Sequence, residues 1–183
     1  MRDPKSEILA FWFEETKPAQ WFQKNPDFDR DIHARFSGDF TLAMEDIYDG
    51  WMDTPKGCLA LIILLDQFPR NMFRDSPQMF SGDEKALAVA NHAIEKKFDQ
   101  VMSLHEKVFT YLPFEHSENL DDQETSLRLF ESTKDEDPTF YNYAKRHYDV
   151  IKKFGRFPHR NPILERNSTK LEEEYLAQPD SGF

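Results

Sequence analysis

Apolar residues recur along this chain at helical spacing. After Pro4, the positions of Ile8, Leu9, Phe11 and Trp12 predict a first helix reaching about Glu14. A loop with Pro18 and Trp21 follows. From Pro26, residues Phe28, Ile32, Phe36 and Phe40 return every fourth position, and Met44, Ile47 and Tyr48 extend the stripe. Gly38 falls inside that stripe and is expected to bend or break it, at a cost of about 1 kcal/mol relative to Ala. The stretch Cys58–Leu65 is eight uninterrupted apolar residues. A helix that is apolar all round is a buried one, so Pro55 to about Gln67 is expected at the centre of the core. Phe68 precedes Pro69, which disfavours further helix.

Four more helices are predicted by the same reasoning. One runs from about Asp83 to Lys97 with Ala86, Leu87, Ala90, Ala93 and Ile94 inward. The next, about His105 to Leu112, is ended by Pro113, and PFEHSENL after it reads as a loop. A third spans about Asp121 to Ser132 through Leu127, Leu129 and Phe130. The fourth runs from Pro138 to Phe154, with Phe140, Tyr143, Ala144, Tyr148 and Ile151 inward and Gly155 as its cap. A last short helix, about Thr169 to Ala177, precedes a polar tail. Helix starts are marked by a capping residue followed by proline at Asp3-Pro4, Asn25-Pro26, Thr54-Pro55 and Asp137-Pro138. Ser81–Glu84 and Thr169–Glu172 read as capping boxes.

No strand-length alternation at period 2 is evident. The fold class is therefore all-α, with about eight to nine helices arranged as antiparallel pairs in a single domain over residues 1–183. That layout is shared with helical-repeat superhelices of the tetratricopeptide kind, although no 34-residue sequence period accompanies it.

Composition narrows the function classes. The 17 phenylalanines favour a folded globule, and the net charge of −11 disfavours nucleic acid and anionic membranes as partners. Cys58 is the only cysteine, which excludes a disulfide framework and a cysteine-based zinc site and fits a reducing compartment. The start, MRDPKSEILAFWF, lacks a secretory layout, and the longest apolar run falls short of the roughly 20 residues that span a bilayer. A cytoplasmic protein is expected.

Candidate chemistry falls in three stretches. The first is Asp66, Gln67, Arg70, Asn71 and Arg74, directly after the apolar run. A carboxylate there is partly buried and faces the negative end of a helix dipole, so it requires a cation. Arg70 and Arg74 are the local choices, as an ion pair capping the helix or as one wall of a ligand site.

The second stretch is Glu115-His116-Ser117-Glu118, with Gln123 beyond. In an extended loop His116 and Glu118 project to one side. The H-x-E pattern also opens the zinc deaminase signature, but its P-C-x-x-C half cannot be made here. Capping of the next helix by Ser117 and Glu118 is the structural alternative. A metal site from His116, Glu118, His147 and His159 has no supporting spacing, so no metal and no cofactor is expected.

The third stretch is Arg156-Phe157-Pro158-His159-Arg160-Asn161-Pro162, a rigid loop suited to carboxylate or phosphate recognition. It belongs to a basic island, Lys145–Arg166, of net +5, which leaves −16 on the remainder of the chain. Internal acidic helices could equally neutralise that island.

LLDQFPRNMFR, YLPFEHSENLDDQ and FGRFPHRNPIL…NSTKLEEEYL, in that order, resemble the domain of unknown function family 924, bacterial proteins with some eukaryotic members. The resemblance runs from the N-terminal FWF to Phe183. It implies an all-α fold similar to tetratricopeptide-repeat proteins and no established reaction. Glu165 departs from it, standing where the family commonly has Gly. If that Gly serves a turn, the loop after Pro162 differs here and a ligand contact from Arg166 is in doubt.

The expectation drawn from the three stretches is that they converge on one pocket. In a binding module for a small anionic ligand or an acidic peptide, Asp66, Gln67, Arg70, Asn71, His147, Arg156, His159, Arg160 and Asn161 would line it. In an enzyme of hydrolase type, His116 or His159 would be the general base, oriented by Glu118 or Asp66. In an interaction scaffold, the polar motifs would be purely structural.

Overall fold

The computed structural model describes residues 2–179, 181 and 182, and shows helices and turns but no strand among them. Phe183, the far end of the family resemblance, lies outside the described residues. The α-helices are α1 (Pro4–Ala10), α2 (Pro18–Trp21), α3 (Pro26–Met44), α4 (Pro55–Ile62), α5 (Phe68–Met72), α6 (Asp83–Glu95), α7 (Leu104–His116), α8 (Leu120–Glu131), α9 (Pro138–Phe154) and α10 (Lys170–Leu176). The all-α expectation is met.

The proline-marked starts form as read. Asn25 Oδ1 accepts from the Asp27 N–H at 3.0 Å, Thr54 Oγ1 from Gly57 N–H at 3.1 Å, and Asp137 Oδ1 from Thr139 N–H at 2.8 Å. Each satisfies an otherwise unpaired donor of a first turn. Thr169 and Glu172 make the expected reciprocal box. Ser81–Glu84 does not. Ser81 Oγ donates to Gln78 O at 2.7 Å, and Gly82 starts α6 with no side-chain cap. A Cβ on Gly82 would stand 2.2 Å from the Leu65 carbonyl oxygen, so close approach to α4's continuation, not capping, requires the glycine.

Four other expectations are corrected. Gly38 neither breaks nor ends α3, which runs 19 residues through it with open space beside the glycine. Met44 and Ile47 do not extend the buried stripe; they are 38% and 63% exposed, because α3 ends at Met44 and Asp46 turns the chain in the left-handed region at φ 64°.

Pro69 does not end its helix. A π-helical turn, Ile63–Gln67, follows α4, and Phe68 keeps helical angles into α5. The wider turn relieves the clash between a proline ring and the carbonyl four residues back, and Pro69 then sits where an α-helix tolerates it. A second π turn, Phe11–Glu15, continues α1. Pro113 likewise lies inside α7. Val108, Phe109, Tyr111, Leu112 and Phe114 are all buried, and anchoring on that scale offsets the roughly 3 kcal/mol an internal proline costs. PFEHSENL is therefore half helix.

The chain divides into two compact units. The first holds the residues up to Arg74 and Gln78–Pro113; the second holds Asp75–Pro77 and the chain from Phe114 onward. The first is built on α4 and an aromatic nest. Phe68 lies 4.8 Å from Phe36, 5.6 Å from Trp12 and 5.9 Å from Phe11, ring centre to ring centre. The second is built on α8 packed along α9, a short-linked antiparallel pair. Val150, Ile151 and Phe157 form its small apolar cluster, with Phe154 and Tyr175 against them.

Candidate functional site: a buried histidine and its polar frame

The sequence-derived site residues fall in both units. In the first unit, Asp66 and Gln67 occupy the π turn and Arg70 and Asn71 occupy α5. Asp66 is fully buried, and its Oδ1 lies 3.1 Å from Arg70 Nη1. Arg70 also grips Asp83 with both amino groups, at 2.7 and 3.0 Å, and donates to the Asp66 carbonyl at 2.6 Å. Burial works against the Arg70 charge, but Asp66 and Asp83 outweigh it and hold the guanidinium above its ordinary pKa. Gln67 Nε2 donates to Asp66 Oδ2, and Asn71 Nδ2 to Gln67 O. Arg74 is bidentate on Asp29 at 2.8 Å. These groups fasten α5 to α6 and α3.

The second unit gathers the rest. Because the helix passes through Pro113, Glu115 falls one turn beyond Tyr111 and Leu112 on the buried face. There its Oε1 lies 3.1 Å from His147 Nδ1, on the inner face of α9 between Ala144 and Ile151. His147 Nδ1 is also 2.9 Å from the carbonyl of Tyr143. A carbonyl only accepts, so Nδ1 carries a proton. Burial pushes the His147 pKa well below the usual histidine value. Tyr143 O opposes this, and His116, Arg160 and His159 reinforce it. Burial thus disfavours the imidazolium, and the contact with Glu115 is an ion pair only when the ring is protonated.

Two more imidazoles lie near. His116 ends α7, with its ring centre 6.4 Å from that of His147. Phe157 meets His147 edge-on at 5.5 Å and His159 at 5.6 Å. Burial and the neighbouring Arg160 push His159 down to about 4, against the opposing pull of Glu118. Arg160 is itself buried. Its guanidinium lies over the Phe157 ring at 4.6 Å and donates to His116 O at 2.9 Å.

Glu118 does not orient a histidine through its hydrogen bonds. Its two oxygens receive Arg166 at 2.7 and 3.0 Å, and Oε1 also receives the Phe157 N–H at 2.7 Å. Burial would raise its pKa, but the Arg166 and Phe157 hydrogen bonds prevail and hold it below the usual carboxylate range. Nor does Glu118 cap α8; Asn119 does, while Ser117 Oγ donates to Asp122 at 2.6 Å. Arg156 is bidentate on Glu172, at 2.7 and 2.8 Å, and donates to Asn167 O. That pairing and the Thr169 cap lower the Glu172 pKa to about 2. Asn161 is a strut: Oδ1 accepts from Arg166 at 2.9 Å and Nδ2 donates to Ser168 at 3.1 Å. Glu165 adopts the left-handed conformation, φ 53°, and the turn closes normally with Arg166 N–H on Asn161 O at 2.8 Å. Arg166 therefore serves Glu118 and the loop.

Gln123, just beyond the second stretch, is also part of the frame. Its Nε2 faces three carbonyls, Phe114 O at 3.3 Å, Glu115 O at 2.6 Å and Ser117 O at 2.7 Å. Three acceptors fix which end of the amide is nitrogen. The fully buried Oε1, and Ser126 Oγ one turn along, make no hydrogen bond among the described residues. Only the three-dimensional path of α7 could have shown this, because Gln123 looks like any first-turn polar residue.

Among the described residues, no group of three or more His, Cys, Asp or Glu is placed to hold a metal ion, and no helix is long and apolar enough to cross a membrane.

No match is found among curated proteins. Among solved structures, a protein of unknown function from Agrobacterium tumefaciens is similar at 38% identity and a TM-score of 0.89, over 94% of this chain and 96% of that one. A family model described as bacterial protein of unknown function (DUF924) matches residues 8–180. With sequence pattern, fold and comparisons in agreement, the chain belongs to the DUF924 family of bacterial proteins of unknown function.

Proposed function

We propose that the second unit binds a small anion that also carries a hydroxyl or amino group, and that His147 exchanges a proton with that group. The observation that carries this reading is the buried His147, its Nδ1 2.9 Å from Tyr143 O and 3.1 Å from Glu115 and its pKa lowered by burial. A neutral imidazole of fixed tautomer accepts a proton at Nε2, and the carboxylate behind it stabilises the imidazolium that forms. Arg160 is the cation for the anionic end, since a planar guanidinium matches carboxylate or phosphate. His116 and His159 border the same imidazole.

This set is narrower than the one expected from the sequence. Arg70 and Arg156 each grip carboxylates, and Asn161 is engaged at both ends of its amide. Gln123 Oε1 and Ser126 Oγ add acceptor capacity close to Glu115.

The test is thermal unfolding with inorganic phosphate, citrate and malate as probes. A ligand at about 100 times its Kd stabilises the native state by about 2.7 kcal/mol, a shift of several degrees. At least one probe is expected to raise the Tm of the wild type, and Arg160→Gln and His147→Gln are each expected to remove the shift while circular dichroism stays helical. The reading fails if no probe shifts the wild type or if the shift survives both substitutions.

A further inference from the structure

The exposed faces of α8 and α9 carry complementary charge patterns. On α9, Asn142, Lys145, Arg146, Asp149, Lys152 and Lys153 are all exposed and recur at offsets of three and four, which places them on one face of the helix. The pattern is two cations, an anion, then two cations. On α8, exposed Asp121, Glu124, Arg128 and Glu131 form a second single face: two anions, a cation, an anion. Set antiparallel to one another with Arg128 opposite Asp149, the two faces share a register. Glu124 lies four residues before Arg128, and Lys153 lies four residues after Asp149. Glu131 lies three residues after Arg128, and Arg146 lies three residues before Asp149. Within one chain these two faces are exposed, while α8 and α9 pack on each other and Ser126, Phe130, Ala144 and Ile151 are buried.

We propose that this hairpin is a self-recognition surface: α8 of one copy pairs with α9 of a second copy, and α9 with α8, in an isologous dimer. Arg146 over the Tyr143 ring and Lys152 over the Tyr148 ring present cation and aromatic surface together. Lys145 already holds Asp149 at 2.7 Å, and in the dimer Arg128 of the partner copy meets that same carboxylate.

Asp149 argues against a uniform polyanion as the occupant. A phosphate backbone or an anionic bilayer would place negative charge over it as well as over the cations, on a chain of net −11. A polypeptide face with one cation among anions meets every position, and α8 of this same chain is such a face.

The experiment is sedimentation velocity of the full chain at about 20 mM and about 500 mM salt, where screening of exposed charges differs severalfold. The mass is expected to move toward twice the 21.7 kDa of one chain at low salt and to return to it at high salt. Arg146→Glu with Lys153→Glu is expected to give monomers, and so is Glu124→Lys with Glu131→Lys. Mixing the two double variants is expected to restore the dimer, because both cross-pairs of the mixed dimer then join opposite charges. Circular dichroism confirms that each variant folds. A wild type that stays monomeric at low salt, or double variants that dimerise as the wild type does, would overturn the proposal. So would reversal variants that lose binding to duplex DNA or to phosphatidylserine vesicles while the wild type binds these as a monomer.

Discussion

In the first unit, Phe68 lies among Phe11, Trp12 and Phe36, and the ion pairs of Arg70 and Arg74 fasten helices around that nest. In the second, Phe157 has Val150 and Ile151 for apolar company. Its backbone N–H goes to Glu118, which also holds Arg166. One unit is built by aromatic burial, with polar groups as fasteners. The other has a small apolar cluster, and its loop from Gly155 to Thr169 is shaped by buried hydrogen bonds. That difference explains where a site can form. A polar frame can hold an imidazole neutral and fix its tautomer; a close-packed aromatic core offers no such groups.

Substitutions separate the two modes by size. Phe68→Ala leaves a large cavity in the aromatic nest and is expected to cost about 3–5 kcal/mol, read as a lowered urea midpoint. Glu118→Ala removes the partner of Arg166 and of the Phe157 N–H. It is expected to cost about 2–3 kcal/mol and to speed amide exchange at Phe157 more than in α4. If exchange instead rises equally in both units, the hydrogen-bonded frame is not local to the second.

Acid separates them next. His147 and His159 have pKa values lowered in the folded chain, His159 to about 4. Above the ordinary histidine pKa of 6.5 neither state is protonated and nothing is lost. As pH falls below 6.5 the unfolded chain binds protons that the folded unit refuses, so stability declines until the folded pKa values are reached. Between pH 6.5 and about 4 the second unit is expected to lose stability, by a smaller amount in His159→Gln, as followed by exchange at Phe157.

The smallest effect is expected at Glu165. A non-glycine residue in the left-handed region carries a cost of about 1–2 kcal/mol, partly offset by the greater flexibility of glycine when unfolded. Glu165→Gly is expected to stabilise by about 0.5–1 kcal/mol in thermal unfolding. No gain would mean that Glu165 bears no strain.

Helix content, the buried α4 and the proline-marked starts could all be read along the chain, because capping and helical periodicity are local. Pro69 and Pro113 were misleading for the same reason. Their local preference for ending a helix is overridden by a π turn and by a buried apolar face, and neither can be seen within a few residues of the proline. That one shift moved the second site. A loop after Leu112 pairs His116 with Glu118, whereas a helix through Pro113 turns Glu115 inward to His147 and leaves Glu118 to Arg166. Glu165 holds a positive φ that a glycine would adopt without strain, and the glutamate keeps the turn.

The most direct test is nitrogen-15 and proton NMR of the His147 ring, recorded from pH 8 to pH 4. The proton is expected on Nδ1 and the lone pair on Nε2, with the ring still neutral well below pH 6.5. A proton on Nε2, or an ordinary titration near pH 6.5, would contradict the Glu115-backed imidazole on which the proposed site rests.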